Sequence, residues 1–201
     1  MVTLKIAVLI SGRGSNLQAL ITACQDPTYP AEIVAVISNE PEASGIKYAA
    51  DANIPNHIVD HRNYPSRHEF EQQLTSIMSS AGVELICLAG FMRLLSNNFV
   101  TQWSDKLINI HPSLLPKYPG LETHKKVLAN KDSVHGVTIH YVDKTLDGGP
   151  ICAQSQMVVK TNNVNELEDQ IHKIEHEIYP IVVKKIAEGK IGFKNGKVIY
   201  K

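Results

Sequence analysis

The sequence predicts an α/β fold: a mostly parallel, doubly covered, Rossmann-like sheet, extended toward its C-terminal end by an antiparallel strand and a long helix. Three observations predict it. Leu4–Ile10 (LKIAVLI) and Ala31–Ile37 (AEIVAVI) are almost continuous β-rich apolar runs, the pattern of strands covered on both faces. Helical spacings separate such runs through the first ninety or so residues, which is the rhythm of a parallel sheet. Beyond them the rhythm changes, and two strand-like runs follow each other directly.

Each element has its own signal. Leu4–Ile10 ends in Ser11-Gly12-Arg13-Gly14-Ser15-Asn16, and Leu17, Leu20, Ile21 and Cys24 follow at helical spacing. Pro30 precedes the second strand. A short helix is expected over about 42–52 and a short strand at His57–Val59. Ser66, with Glu69 three residues on, forms a capping-box pattern for a helix over about 67–81. Glu84–Ala89 (ELICLA) is the fourth strand, closed by Gly90, and Ser96–Trp103 reads as a short helix. Lys106–His111 is the next strand. Val134–Val142 and Pro150–Val159 are two more, joined by the loop Asp143–Gly149. A long amphipathic helix over about 165–188 carries Leu167, Ile171, Ile174, Ile178 and Ile181, with Pro180 expected to kink it. In the tail, Asn195-Gly196 between two short runs predicts a hairpin. With no repeat, low-complexity tract or linker, residues 1–201 are expected to form one domain.

Composition narrows the function. Lys plus Arg and Asp plus Glu both number 20, so the chain has no net positive field to grip a polyphosphate backbone or an anionic membrane. Neither nucleic acid nor membrane is therefore expected as a partner. Cys24, Cys87 and Cys152 are odd in number and far apart, which reads as reduced thiols in a cytoplasmic protein. The opening MVTLKIAVLISGRG has too short an apolar run to span a bilayer and lacks a signal-peptide cleavage pattern.

Three segments could carry chemistry. In "SGRGSN" glycines would turn backbone donors inward at the start of a helix, which suits a phosphate. It is not a dinucleotide fingerprint, because Leu17 occupies the third glycine position, nor a P-loop, because no Gly-Lys-Ser/Thr follows. A plain strand-to-helix turn fits the same residues. In "HKIEH", His172 and His176 flank Glu175 at the spacing of a zinc-protease motif. No third ligand segment accompanies them, so no metal is expected, and solvated or hydrogen-bonding side chains fit better.

The third segment is "INIHPSLLPKYPG". Ile108 and Ile110 alternate with Asn109 and His111, so the amide and the imidazole share one strand face about two rises of ~3.3 Å apart. Pro112 then ends the ladder. Asp147 stands in the Gly-rich turn "LDGGP". An amide donor, an imidazole and a carboxylate together suit proton transfer beside a developing oxyanion. Spacing alone does not bring Asp147 to His111, and each residue taken singly could be structural.

Taken in order, "ISGRGSNLQAL", "LAGFMRLLS", "NIHPSLLPKYPGLETH", "HGVTIHYVDKTLDGGP" and "EHEIYP" resemble the phosphoribosylglycinamide formyltransferase family, folate-dependent enzymes of purine biosynthesis. The resemblance runs from Ile6 to about Pro180. It implies the formyltransferase fold, with a phosphate-binding half over 1–90 and a catalytic and folate-binding half over 91–201. It implies transfer of the formyl group of 10-formyltetrahydrofolate, a co-substrate, to the amine of phosphoribosylglycinamide, without a metal, by a cytoplasmic monomer or homodimer. Asn109, His111 and Asp147 fall on the catalytic trio. Gly14, Ser15 and Asn16 fall on the phosphate cradle, and Glu175 on a ligand of the substrate ribose. Met92, Arg93, Leu94, Leu95, Val100, Asp143, Lys144, Thr145 and Leu146 fall on the folate pocket, with Arg67 near it. His172 stands where such enzymes carry glutamine.

Three rivals are weighed against this. A methionyl-tRNA formyltransferase shares the trio but usually has a second domain and a basic surface, for which this chain has neither length nor charge. A formyltetrahydrofolate hydrolase usually carries an extra N-terminal domain, whereas here the first strand begins at once. A silent phosphosugar-binding module has no use for an intact trio.

Overall fold

The structure is a computed structural model and describes residues 3–201. Its first strand, β1 (Leu4–Ile10), shows why the apolar run is continuous. Ile6, Val8 and Ile10 enter one hydrophobic cluster, while Ala7 and Leu9 enter a second on the other side of the sheet. Alternate side chains of a strand point to opposite faces, so a strand buried on both needs apolar residues throughout.

After β1 come α1 (Ser15–Cys24), β2 (Ala31–Ser38), α2 (Ile46–Asp51), β3 (Asn56–Ile58), α3 (Arg67–Ser80) and β4 (Leu85–Leu88). Then α4 (Asn97–Gln102) leads to β5 (Leu107–His111), α5 (Thr123–Ala129), β6 (Val134–Tyr141), β7 (Ile151–Val158) and α6 (Val164–Ala187). The chain ends in the hairpin of β8 (Ile191–Lys194) and β9 (Lys197–Tyr200). Seven strands form one sheet in the order β3-β2-β1-β4-β5-β6-β7. Strands β1 to β5 pair in parallel, whereas β6 is antiparallel to β5 and β7 to β6. From β1 the chain fills one side of the sheet and then crosses to the other, so β1 and β4 flank a switch point at their carboxyl ends, where open α/β sheets bind ligands.

Local signals are read back in detail. Ser66 Oγ accepts the Glu69 N–H at 3.3 Å and opens α3. Asn195 and Gly196 both have positive φ, 52° and 74°, the pair that a type I′ hairpin turn requires. Two readings change. Thr123–Ala129 is a helix with no counterpart among the expected elements. On α6, Ile181 is 52% exposed, and the buried stripe is Leu167, Ile171, Glu175, Tyr179, Val182 and Val183. A carboxylate and a phenol therefore lie on the core face, where aliphatic side chains alone were expected. The helix runs on through Pro180.

Candidate active site

The turn after β1 is shaped by two glycines in van der Waals contact. Gly14 caps α1 with φ 73°, and a Cβ placed on it would stand 2.6 Å from the Gly45 Cα. A Cβ on Gly45 would meet the Gly14 Cα at 2.9 Å. The Gly45 N–H donates to the Gly12 carbonyl at 3.0 Å. No side chain caps α1, so its first N–H groups face outward with the positive end of the helix dipole. Ser15 opens that helix.

Asn16 turns inward instead. Its Nδ2 donates to Glu175 Oε2 at 2.9 Å, while its own Oδ1, also buried, has no protein partner. Glu175 is 4% exposed. Burial pushes its carboxyl up to about 7, against the opposing pull of the Asn16 hydrogen bond. Tyr179, one turn further along α6, donates to the Leu88 carbonyl at 2.9 Å and so lays the helix across the end of β4.

Asn109 and His111 lie on the face opposite Ile108 and Ile110, as their alternation predicts. The structure also supplies what spacing could not. The loop after β6 doubles back over this face and brings Asp147 Oδ2 to 3.5 Å from His111 Nδ1. The same oxygen accepts the Gly120 N–H at 2.7 Å. His111 Nε2 donates to the Tyr118 carbonyl at 2.9 Å. Both ring nitrogens thus face acceptors, an arrangement that an imidazolium satisfies completely. His111 is 5% exposed, so it is a buried polar group and not merely a rim side chain. The turn closes because residue 149 is glycine: a Cβ there would lie 1.9 Å from the Tyr141 carbonyl oxygen.

Sequence reasoning missed His140. It pairs across the ladder with Asn109, and its Nδ1 donates to the Tyr141 carbonyl at 3.0 Å. Burial lowers its pKa against the opposing pull of Asp147, 3.8 Å from Nε2, and so favours the neutral ring, whose Nε2 accepts at 3.3 Å from Asn109 Nδ2. One amide hydrogen is fixed on His140 and the other is free for a ligand oxygen. The available signal was the alternation of Thr138 and His140 in "VTIHY", the same period as Asn109 and His111. Thr138 works as well: its hydroxyl donates to the Ser113 carbonyl at 2.7 Å and accepts from the Leu115 N–H at 3.0 Å. That pins the chain just past His111.

Met92, Arg93 and Leu94 are exposed on the segment that leaves β4, with Leu95 half-buried beside them. Val100, on α4, is a core residue at 4% exposure, in the cluster against which Leu95 and Val142 pack. Asp143 accepts from the Thr145 N–H at 2.8 Å and shapes the turn that carries exposed Lys144 and Leu146. Arg67 is exposed at the first position of α3. On α6, His172 and His176 stack with planes 4° apart and centroids 6.1 Å apart, and His172 Nε2 lies 3.8 Å from Glu168. Among the described residues no three His, Cys, Asp or Glu side chains converge to hold a metal ion.

An imidazole paired with a carboxylate, an oriented amide and an open helix N-terminus, at the switch point of a parallel sheet, suit an α/β enzyme that transfers an acyl-type group. The comparisons make that class specific. Residues 4–183 match the family described as formyl transferase. Over 95% of its length the chain is 40% identical to the phosphoribosylglycinamide formyltransferase of Haemophilus influenzae, of which it covers 91%. It is 43% identical, over 98% of its length, to the trifunctional purine biosynthetic protein adenosine-3 of Gallus gallus, and spans 20% of that much longer protein. The solved phosphoribosylglycinamide formyltransferase of Coxiella burnetii superposes with a TM-score of 0.94 at 45% identity, covering 98% of this chain and 93% of that one. The chain belongs to the formyl transferase family, in its phosphoribosylglycinamide formyltransferase branch, as its motifs suggest.

Proposed function

We propose that this chain moves the formyl group of 10-formyltetrahydrofolate to the amine of phosphoribosylglycinamide in purine biosynthesis, with Asn109, His111 and Asp147 carrying the chemistry. The observation behind this is the junction of Asp147 with His111 at 3.5 Å beside an Asn109 whose amide is already oriented. The substrate amine attacks the formyl carbon, and the formyl oxygen gains negative charge. The free Asn109 hydrogen stabilises that oxygen, joined by the His111 Nε2–H when it leaves the Tyr118 carbonyl. His111 then relays a proton from the attacking amine to the departing folate nitrogen, while Asp147 keeps the ring directed and charge-balanced.

The two substrates have matching surfaces. The open N–H groups at the start of α1, with Gly14, Ser15 and Asn16, suit a phosphate. Glu175 and Asn16 Oδ1 are acceptors suited to ribose hydroxyls. Met92 and Leu94, each 66% exposed, and Leu146, 58% exposed, offer an apolar rim. Apolar side chains on the two segments that the family resemblance assigns to the folate suit a flat heterocycle. Arg67, exposed at the start of α3, supplies a cation suited to the carboxylates of a folate. Balanced charge supports small-molecule substrates over nucleic acid or an anionic membrane.

The test is a single assay of formyl release from 10-formyltetrahydrofolate with three acceptors: phosphoribosylglycinamide, water alone and initiator methionyl-tRNA. Transfer to phosphoribosylglycinamide is expected. Release to water at the same rate, or transfer to the tRNA, would overturn the reading.

A further inference from the structure

The segment from Gly90 to Ser96 links β4 to α4 without regular structure, yet it presents Met92 and Leu94 at fixed positions on the surface. Two contacts pin it. Near its start, the Met92 N–H donates to Ser11 Oγ at 2.7 Å, and the Ser11 hydroxyl donates onward to Asn39 Oδ1. At its end, Ser96 gives both of its donors to one carboxylate on α3. The Ser96 N–H reaches Glu71 Oε1 at 2.6 Å, and its hydroxyl donates to Glu71 Oε2. The same hydroxyl accepts the Phe99 N–H at 3.3 Å and so starts α4.

Glu71 is 4% exposed, and no lysine or arginine among the described residues forms an ion pair with it. A buried carboxylate without a cation is costly unless strong hydrogen bonds compensate it. Here both oxygens are spent on one serine, the residue that ends the segment and begins the next helix.

We propose that Glu71 is a positioning residue for folate: by clamping Ser96 it sets the course of Met92–Leu95 across the pocket. The inference rests on the assignment of Met92–Leu95 to the folate pocket. A glutamine at 71 would keep an acceptor for the Ser96 N–H but make the Ser96 hydroxyl accept from an NH2 group where it now donates to a carboxylate, so the charge assistance is lost. Losing one charge-assisted bond corresponds to roughly tenfold in affinity.

The experiment measures steady-state kinetics for both substrates, and direct binding of a formylated dideazafolate, in Glu71→Gln, Ser96→Ala, Ser96→Thr and Leu95→Asp. Glu71→Gln and Ser96→Ala should raise the KM for formylfolate and the analogue Kd, leaving kcat and the KM for phosphoribosylglycinamide little changed. Ser96→Thr keeps both donors and should bind like the parent. If Glu71→Gln fails to fold, the Ser96 pair carries the same test. Unchanged folate affinity in Glu71→Gln and Ser96→Ala, while Leu95→Asp weakens it, sinks the proposal. Equal losses for both substrates, with a lowered melting temperature, also sink it, since Glu71 would then be only structural. If Leu95→Asp itself leaves analogue affinity intact, the pocket assignment is the part that is wrong.

Discussion

The turn after β1 is held by its own backbone, whereas the loop that carries Asp147 is held by side chains and main chain arriving from elsewhere. Gly12, Gly14 and Gly45 pack backbone to backbone, and α1 starts with no side-chain cap. Around Asn109 and His111, by contrast, the partners come from β6, from the loop after β6 and from the chain before α5: His140, Asp147 and Tyr118. Tyr118, Glu122 and Asp147 all hold positive φ without being glycine, at 57°, 61° and 50°. Such residues persist where the surroundings over-determine them. On the proposed function, the difference teaches that an anion cradle can be built from chain geometry alone, while a proton relay needs several distant groups in one arrangement.

The largest effects should fall on the side built from distant groups. His111→Ala should lower kcat by roughly 10²–10⁴, the range for a positioned acid–base group. Asn109→Ala should cost roughly 10²–10³, as for one oxyanion donor. Groups that act as a unit are not additive, so Asp147→Asn combined with His111→Ala should be scarcely slower than His111→Ala alone. Rate losses that multiply across the pair would show Asp147 acting independently of His111.

Next in size is Glu175, where stability and binding should move in opposite directions. Burial holds its carboxyl at about 7, above the ordinary 4.5. Between those values the folded chain binds a proton that the unfolded chain has lost, so stability falls as pH rises through this window. Above about 7 the cost is fully present. Glu175→Gln keeps an acceptor for Asn16 and removes the buried charge, so it should stabilise the fold at pH 8 by up to roughly 3 kcal/mol, and hardly at all at pH 4. It should also raise the KM for phosphoribosylglycinamide. Denaturant unfolding at the two pH values reads the first effect, and equal stability changes at both would refute it.

A smaller effect is expected at Gly14. Even alanine there puts a Cβ 2.6 Å from the Gly45 backbone, at a φ of 73°. Overpacking of this kind costs roughly 1–3 kcal/mol. Gly14→Ala should weaken phosphoribosylglycinamide selectively and leave folate-analogue binding unchanged. Matched losses for both ligands would mean the turn is a scaffold and not a cradle.

How much of this could be read beforehand follows the same division. The strand runs, the Ser66 cap and the Asn195-Gly196 turn are local, so neighbouring residues suffice to announce them. The Gly12–Asn16 turn was legible for the same reason. The Asp147 junction was visible only through family resemblance, because it depends on a loop folding back over β5, which no spacing rule encodes. His140 was hidden in plain alternation, since its value lies in a tautomer fixed by the Tyr141 carbonyl. α5 was missed because Thr123–Ala129 is short and only Thr123 and Val127 are buried, too few for an apolar period to stand out. On α6 the stripe was drawn through isoleucines, but the helix turns Ile181 outward and puts Glu175 and Tyr179 on the core face. Hydrophobicity cannot announce a carboxylate on a core face.

The smallest predicted effect separates the two sides most cleanly, because it compares the same deletion in both. Tyr118 donates its hydroxyl to Asp132 Oδ2 at 2.8 Å and accepts from Asn130 Nδ2 at 2.9 Å. That hydroxyl, followed by Lys117, holds the Asp132 carboxyl below its usual range. The Tyr118 carbonyl is the group that receives His111 Nε2–H. Tyr29 is likewise half-buried, and its hydroxyl donates to the Pro180 carbonyl at 2.7 Å, on the α1–α6 side. Each Tyr→Phe change removes one hydroxyl and no packing volume, so each should lower the melting temperature only slightly. Only Tyr118 is joined to the histidine. Tyr118→Phe should therefore lower kcat a few-fold with both KM values nearly unchanged, while Tyr29→Phe leaves kcat alone. A bond that must yield for Nε2 to pass its proton makes the direction informative as well. If Tyr118→Phe raised kcat, the carbonyl would be restraining the proton relay and not aligning it. If neither variant changed kcat, the histidine would be oriented by Asp147 alone, and the catalytic side would be less dependent on distant groups than its contacts imply.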